Sequence, residues 1–275
     1  MRADRRAHPD AGGRGQLPDA LRPLAEHAGQ AALCVDFDGT LADIVDDPAA
    51  ARPHPGVPVL LGALAGHYAT VAVISGRPLD FLVQVLGPPP GVALVGLYGL
   101  EWLDADGSRR RAPGADEWEP VVARATREAE GGAPEGVFVE PKGLTVTLHW
   151  RRAEHSESAA RWVEEFTAAQ AHRHGLERHR GRLSVELTPP LRVDKGTAVR
   201  AVAAGMRAVA ALGDDLGDLA AFAALDELAR SGVAVAKVAV TDPESPPAVA
   251  EAADVTVAGA AGAAELLAHL LAAVT

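Results

Sequence analysis

Cysteine and lysine are scarce in this chain of 275 residues: there is one Cys, and aromatic side chains make up only 4%. A lone Cys34 forms no intramolecular disulfide, which fits a reducing cytoplasm, and its apolar neighbours mark it as a small buried hydrophobe. Long apolar runs are missing too. The longest, residues 201–211, is broken by Arg207, and the alanine-rich C-terminal stretch carries Glu251, Asp254 and Glu265, so no transmembrane span is expected. Cationic side chains are outnumbered 26 to 37, a formal net charge of −11. That balance argues against nucleic-acid or anionic-membrane partners, which require a basic footprint. Lysine is rarest among the cations, with only Lys142, Lys195 and Lys237, so each one invites attention. Residues 1–28 hold Arg2, Arg5, Arg6, Arg14 and Arg22 without an apolar segment, and they read as a flexible tail rather than a secretion signal.

What remains is the composition of a folded protein, 48% hydrophobic and 23% charged, long enough for two domains. Short continuous apolar runs at 31–35, 70–74, 92–95, 208–212, 233–240 and 255–257 predict strands buried on both faces. Amphipathic stretches at 57–67, 79–86, 196–204 and 216–228 predict the connecting helices. Between them the pattern changes to helices near 117–130 and 157–174 with alternating strands at 137–140, 144–151 and 183–187. The expected architecture is α/β: a parallel-sheet core from residues 29–104 and 191–275, interrupted by an α+β insert at 105–190. No internal repeat is visible.

In open parallel sheets ligands bind beyond the carboxyl ends of the strands. The first strand ends in Asp36-Phe37-Asp38-Gly39-Thr40, where two carboxylates two residues apart share a side of the extended chain. Such a pair can bind a hard cation and also attack an electrophile; the plain alternative is an Asp-Gly turn. The second ends in Ser75-Gly76-Arg77-Pro78, a hydroxyl and free N–H groups at a helix start, which reads as an anion site or as a simple Ser cap. A later strand ends in Gly213-Asp214-Asp215-Leu216-Gly217-Asp218. Three carboxylates crowded there repel one another unless a cation shares the site, the alternative being a solvated helix start. Between these, Lys195 opens a helix in Asp194-Lys195-Gly196-Thr197, where it can hold a phosphate and offset the carboxylates.

These four segments, in this order, resemble the haloacid dehalogenase superfamily of phosphotransferases, and the resemblance runs from about residue 30 to the C-terminus. It implies a Rossmann-like core with an inserted cap. It also implies Asp36 as the nucleophile that forms an aspartyl-phosphate and Asp38 as general acid and base. Ser75, Gly76 and Lys195 would bind the phosphoryl group, and Mg²⁺ would be held by Asp36, the Asp38 main-chain carbonyl and Asp214, with Asp215 and Asp218 in support. In the insert, Val139-Glu140-Pro141-Lys142-Gly143-Leu144, then His149-Trp150-Arg151 and Val185-Glu186-Leu187-Thr188-Pro189, look like the cap of the trehalose-6-phosphate phosphatase family. That likeness implies Glu140, Lys142, Arg151 and Glu186 as contacts to sugar hydroxyls. Glu140 and Lys142, two apart on a strand, share one face and make an acceptor and donor pair suited to polyols; a solvated face with a weak cross-strand ion pair is the alternative.

Two departures stand out. The family's acidic motif often reads Gly-Asp-Asp-x-Thr-Asp-Glu, whereas Gly217 and Leu219 replace the Thr and the final Glu, and 99–102 match the hinge region loosely. The expected activity is Mg²⁺-dependent hydrolysis of trehalose 6-phosphate, a small-molecule substrate, by a cytoplasmic enzyme for which a monomer is compatible. Closure of insert over core is expected with it. A phosphatase for sucrose 6-phosphate or a glycosyl-phosphoglycerate, or a non-catalytic sugar-phosphate sensor, are the competing readings.

Overall fold

The computed structural model describes residues 17–275 except 46, 182 and 244. In chain order its helices and strands are α1 (Arg22–Glu26), β1 (Ala31–Val35), α2 (Val57–Ala65), β2 (Thr70–Ile74), α3 (Leu79–Leu86), β3 (Val92–Gly96), β4 (Glu101–Leu103) and β5 (Arg109–Arg111). Next come α4 (Glu119–Gly132), β6 (Phe138–Pro141), β7 (Val146–His149), α5 (Ser156–His174), β8 (Glu177–Gly181) and β9 (Ser184–Thr188). The chain then returns through α6 (Lys195–Val202), β10 (Ala208–Gly213), α7 (Asp218–Arg230), β11 (Ala234–Thr241), α8 (Pro247–Ala252), β12 (Val255–Ala258) and α9 (Gly259–Ala272). The described residues divide into two compact units, one of residues 17–110 with 193–275 and the other of residues 111–192.

The first unit is built on an eight-stranded sheet in the order β12-β11-β10-β1-β2-β3-β4-β5. Pairing is parallel from β12 through β3, and β4 turns back antiparallel on β3. Strands covered on both faces need apolar side chains at every position, and β1 shows why: Leu33 and Val35 enter one core with α2, α3 and α9, while Ala32 and Cys34 enter another with α6, α7 and α8. Burial pushes the Cys34 thiol up to about 12, which keeps it protonated and inert.

Three expectations need correction. Residues 17–28 are not a flexible tail: Leu21 and Leu24 are fully buried in the first core, and α1 packs beside β1 and β10. Residues 1–16 lie outside the described residues. The insert begins at 111 rather than 105, because the chain first adds β4 and β5 to the edge of the large sheet. It ends at 192 rather than 190. Among the described residues no helix is long and apolar enough to cross a membrane.

The second unit is a four-stranded antiparallel sheet, β6-β7-β9-β8. Alternation sorts its side chains: Val146, Leu148, Val185 and Leu187 pack on Val122, Ala125 and Ala129 of α4 and Val163 of α5. The residues between them, Thr147 and Glu186 among them, fall on the other face.

Candidate active site

Asp36 leaves β1 with its N–H donating to the Leu212 carbonyl of β10 (3.0 Å), so the parallel ladder runs one residue past the strand. This sets the 36–40 loop against the 213–218 loop. Gly39 has φ +74°, and a Cβ there would overlap the Asp214 carboxylate, so a glycine is required for the loops to approach this closely. Thr40 Oγ1 donates to Asp214 Oδ1 (3.2 Å). In the second loop the Asp214 and Asp215 N–H groups donate to Asp218 Oδ2 (3.0 and 3.2 Å), which turns Asp218 back toward the end of β10.

Lys195 is fixed by its helix. Asp194 and Thr197 form a capping box, with Asp194 Oδ1 accepting from the Thr197 N–H and Thr197 Oγ1 from the Asp194 N–H, which stabilises the start of α6. From there Lys195 Nζ lies 2.9 Å from Asp36 Oδ1, 2.8 Å from Asp218 Oδ1 and 3.9 Å from Asp215 Oδ1. Lys195 and Asp36 are both buried.

Asp36, Asp214 and Asp218 each offer an oxygen within 4.8 Å of the others. Three carboxylates against one ammonium leave two negative charges, the charge that one divalent cation balances, and hard oxygen donors suit such an ion. The electrostatics carry that imbalance. Burial, reinforced by Asp218, Asp214 and Asp215 and opposed by Lys195, holds the Asp36 carboxyl well above the usual range. Burial followed by Asp215 and Asp218 pushes Asp214 up to about 7, and burial raises Asp218 despite Lys195. For Lys195, burial works against the charge, but Asp36, Asp218 and Asp215 outweigh it and hold its pKa well above normal.

Asp38 is arranged differently. Its carboxylate, outside the three-carboxylate group, takes a two-pronged pair of bonds from Arg77, Nε to Oδ2 and Nη2 to Oδ1, both 2.7 Å. The guanidinium lies over the Phe81 ring at 4.6 Å, and the Asp38 side chain stays 35% exposed. A charged fork stacked on a ring and bonded through two N–H groups fixes carboxylate orientation. Arg77 also donates its N–H to Ser75 Oγ (3.2 Å), and Ser75 is buried. Behind this loop, Leu97 and Tyr98 adopt left-handed φ values of 47° and 60°. Their N–H groups donate to the Arg77 and Ser75 carbonyls (2.9 Å each), and the Tyr98 phenol sits against the space a Gly76 side chain would need. Non-glycine residues hold such conformations only where surroundings compel them; here they brace the Ser75–Gly76–Arg77 turn. Glu101 Oε2 accepts from the Leu79 N–H at the start of α3 (2.9 Å).

In the insert, Lys142 Nζ lies 3.6 Å from Glu140 Oε2 and 3.4 Å from Glu186 Oε1. Glu186 Oε1 accepts from Thr145 Oγ1 (2.7 Å), and Glu140 Oε2 bonds His149 Nε2 (2.9 Å). Arg151 is exposed in the turn after β7 and joins none of these bonds. The structure therefore brings together Asp36, Lys195, Asp214, Asp215 and Asp218 in the core, and Glu140, Lys142 and Glu186 in the insert. Asp218, expected in support, stands among the three grouped carboxylates. Sequence reasoning missed Arg77, Thr40, Thr145 and His149 as partners of these groups. Arg77, Thr40 and His149 lay inside motifs already noticed, and the period-two run Thr145, Thr147, His149 marks one strand face.

The chain matches the family model described as Trehalose-phosphatase over residues 34–255, across both units. It belongs to the trehalose-phosphatase family. It is 36% identical over 238 residues to the trehalose-phosphate phosphatase of Mycobacterium leprae, covering 80% of this chain and 54% of that protein. It spans about half the length of the curated relatives it matches. The C-terminal domain of C. albicans trehalose-6-phosphate phosphatase superposes with a TM-score of 0.73 at 23% identity, covering 95% of this chain and 100% of that one. A haloacid dehalogenase-like hydrolase from Bacteroides thetaiotaomicron does so with 0.60 at 16%, covering 86% and 98%. These neighbours confirm the expected α/β fold with an inserted cap.

Proposed function

We propose that this trehalose-phosphatase family member hydrolyses trehalose 6-phosphate to trehalose and phosphate, with Mg²⁺ as cofactor. The observation that carries the reading is the buried Asp36–Lys195 pair beside Asp214 and Asp218, with Asp38 oriented two residues along. An Asp36 carboxylate oxygen attacks phosphorus as the bond from phosphorus to the sugar oxygen breaks, and Asp38 gives that oxygen its proton. Asp38 then takes a proton from the water that attacks the aspartyl-phosphate, which releases phosphate and restores Asp36. Ser75, Gly76 and Lys195 hold the phosphoryl oxygens, and Arg77 keeps Asp38 in one orientation. Asp36, Asp214 and the Asp38 main-chain carbonyl, with Asp215 and Asp218 beside them, would hold Mg²⁺, which supplies positive charge to the phosphoryl group.

The insert supplies recognition: Glu140 and Glu186 accept from sugar hydroxyls and Lys142 donates to them, with Arg151, exposed in the turn after β7, as a further candidate contact. The same reading makes the partner a small molecule and the location cytoplasmic, in keeping with a single buried thiol. The test is phosphate release from trehalose 6-phosphate, sucrose 6-phosphate, glucose 6-phosphate and a glycosyl-phosphoglycerate, with Mg²⁺ and with EDTA. Fastest turnover of trehalose 6-phosphate, abolished by EDTA, supports the reading. Preference for another ester overturns the substrate, and tight binding without phosphate release would make the chain a sensor.

A further inference from the structure

The insert sheet holds a polar row that the reading above does not use in full. Strand register sets Glu140 of β6 opposite Thr147 of β7, and Thr147 opposite Glu186 of β9. Directly opposed residues of antiparallel strands share a face, with Cβ atoms about 5 Å apart, so Thr147 stands between the two carboxylates. Both carboxylates are anchored from the side: Glu140 by His149, Glu186 by Thr145, and each by Lys142. Thr147 is not anchored. It is 4% exposed, and its Oγ1 is buried without a hydrogen-bond partner. Native proteins rarely leave a buried hydroxyl idle, because it has lost water and gained nothing in return. A valine would fill the same space on a strand at no such loss.

We propose that Thr147 is a specificity-determining contact: its hydroxyl waits for a sugar hydroxyl bound between Glu140 and Glu186. The inference rests on the sugar-phosphate reading above and narrows it to the ligand's chemistry. A ring bearing adjacent hydroxyls meets an acceptor, a hydroxyl that both donates and accepts, and a second acceptor in a line across three strands. A phosphate ester without a polyol makes no use of that row.

The test compares wild type with Thr147→Val and Thr147→Ser, using whichever sugar phosphate the wild type turns over fastest and p-nitrophenyl phosphate as the ester lacking a polyol. T147V is expected to raise KM for the sugar phosphate about tenfold, the loss of one neutral hydrogen bond, and to leave turnover of p-nitrophenyl phosphate unchanged. T147S, which keeps the hydroxyl, is expected to stay within about twofold of wild type. The melting temperature of T147V should equal or exceed that of wild type, since the hydroxyl has no partner in the free protein. A sugar-phosphate KM unmoved in T147V, an equal loss on both esters, or a lower melting temperature overturns the proposal while the phosphatase reading stands. A wild type that releases phosphate from no sugar phosphate removes both.

Discussion

Asp214 offers a quantitative test of the proposed cation site through its titration in the metal-free protein. Its carboxyl rises from 3.8 to about 7 on folding, chiefly through burial and then through Asp215 and Asp218. A carboxyl with a higher pKa folded than unfolded binds its proton more tightly in the native state. The stability it contributes is therefore full below 3.8 and is lost as pH rises to about 7. Each unit of that window is worth about 1.4 kcal/mol, and two of the units lie between about pH 5 and about pH 7. Wild type in EDTA should lose about 3 kcal/mol relative to Asp214→Asn between about pH 5 and about pH 8. Exposed carboxylates cancel in that difference. Saturating Mg²⁺ should remove the loss, because a cation among Asp36, Asp214 and Asp218 favours the ionised form and adds roughly 3 kcal/mol of its own at a hundredfold excess over Kd. Urea unfolding at the two pH values, with EDTA and with Mg²⁺, reads all four quantities. A wild-type loss no greater than that of D214N, or a Mg²⁺ gain no larger at about pH 8 than at about pH 5, would refute the reasoning.

Other consequences follow from single contacts. Leu21→Ala should cost about 2–5 kcal/mol, measured by urea unfolding, because Leu21 is fully enclosed by the first core; a loss under about 0.5 kcal/mol, the scale of an exposed substitution, would return residues 17–28 to a tail. Arg77→Lys keeps the charge but loses the fork on Asp38 and the stack on Phe81. Steady-state kinetics should show kcat lower by about tenfold to a hundredfold with KM little changed, and an unchanged kcat would mean that Asp38 does not depend on this pair.

The strands at 31–35 and 70–74 were legible to the residue because strands covered on both faces admit only apolar side chains. The edges were not. Glu177–Gly181 carries no apolar pattern that would mark a strand, yet it is β8, held by its pairing to β9; the three arginines of β5 are strand for the same reason. Leu21 and Leu24 are too few to announce a helix, and their burial depends on the core they meet. Within the site, Asp36 and Asp214 were readable because parallel topology gathers the carboxyl ends of strands, and Lys195 because one of only three lysines opens a helix. The Asp38–Arg77 pair spans 39 residues and depends on side-chain reach, and the place of Thr147 depends on strand register, neither of which a motif encodes. Lysine scarcity proved informative in an unexpected way. All three lysines form ion pairs at low exposure, and Lys237 bonds Asp226 (2.8 Å), tying β11 to α7, with no part in the site.

The proposed covalent mechanism stands or falls with Asp36 as the group that takes the phosphoryl. Asp36→Asn keeps the shape and removes the attacking charge. With Mg²⁺ and trehalose 6-phosphate, wild type is predicted to release phosphate through many turnovers, while a folded D36N protein binds the substrate and releases none. Turnover by D36N at a wild-type rate would contradict the covalent mechanism.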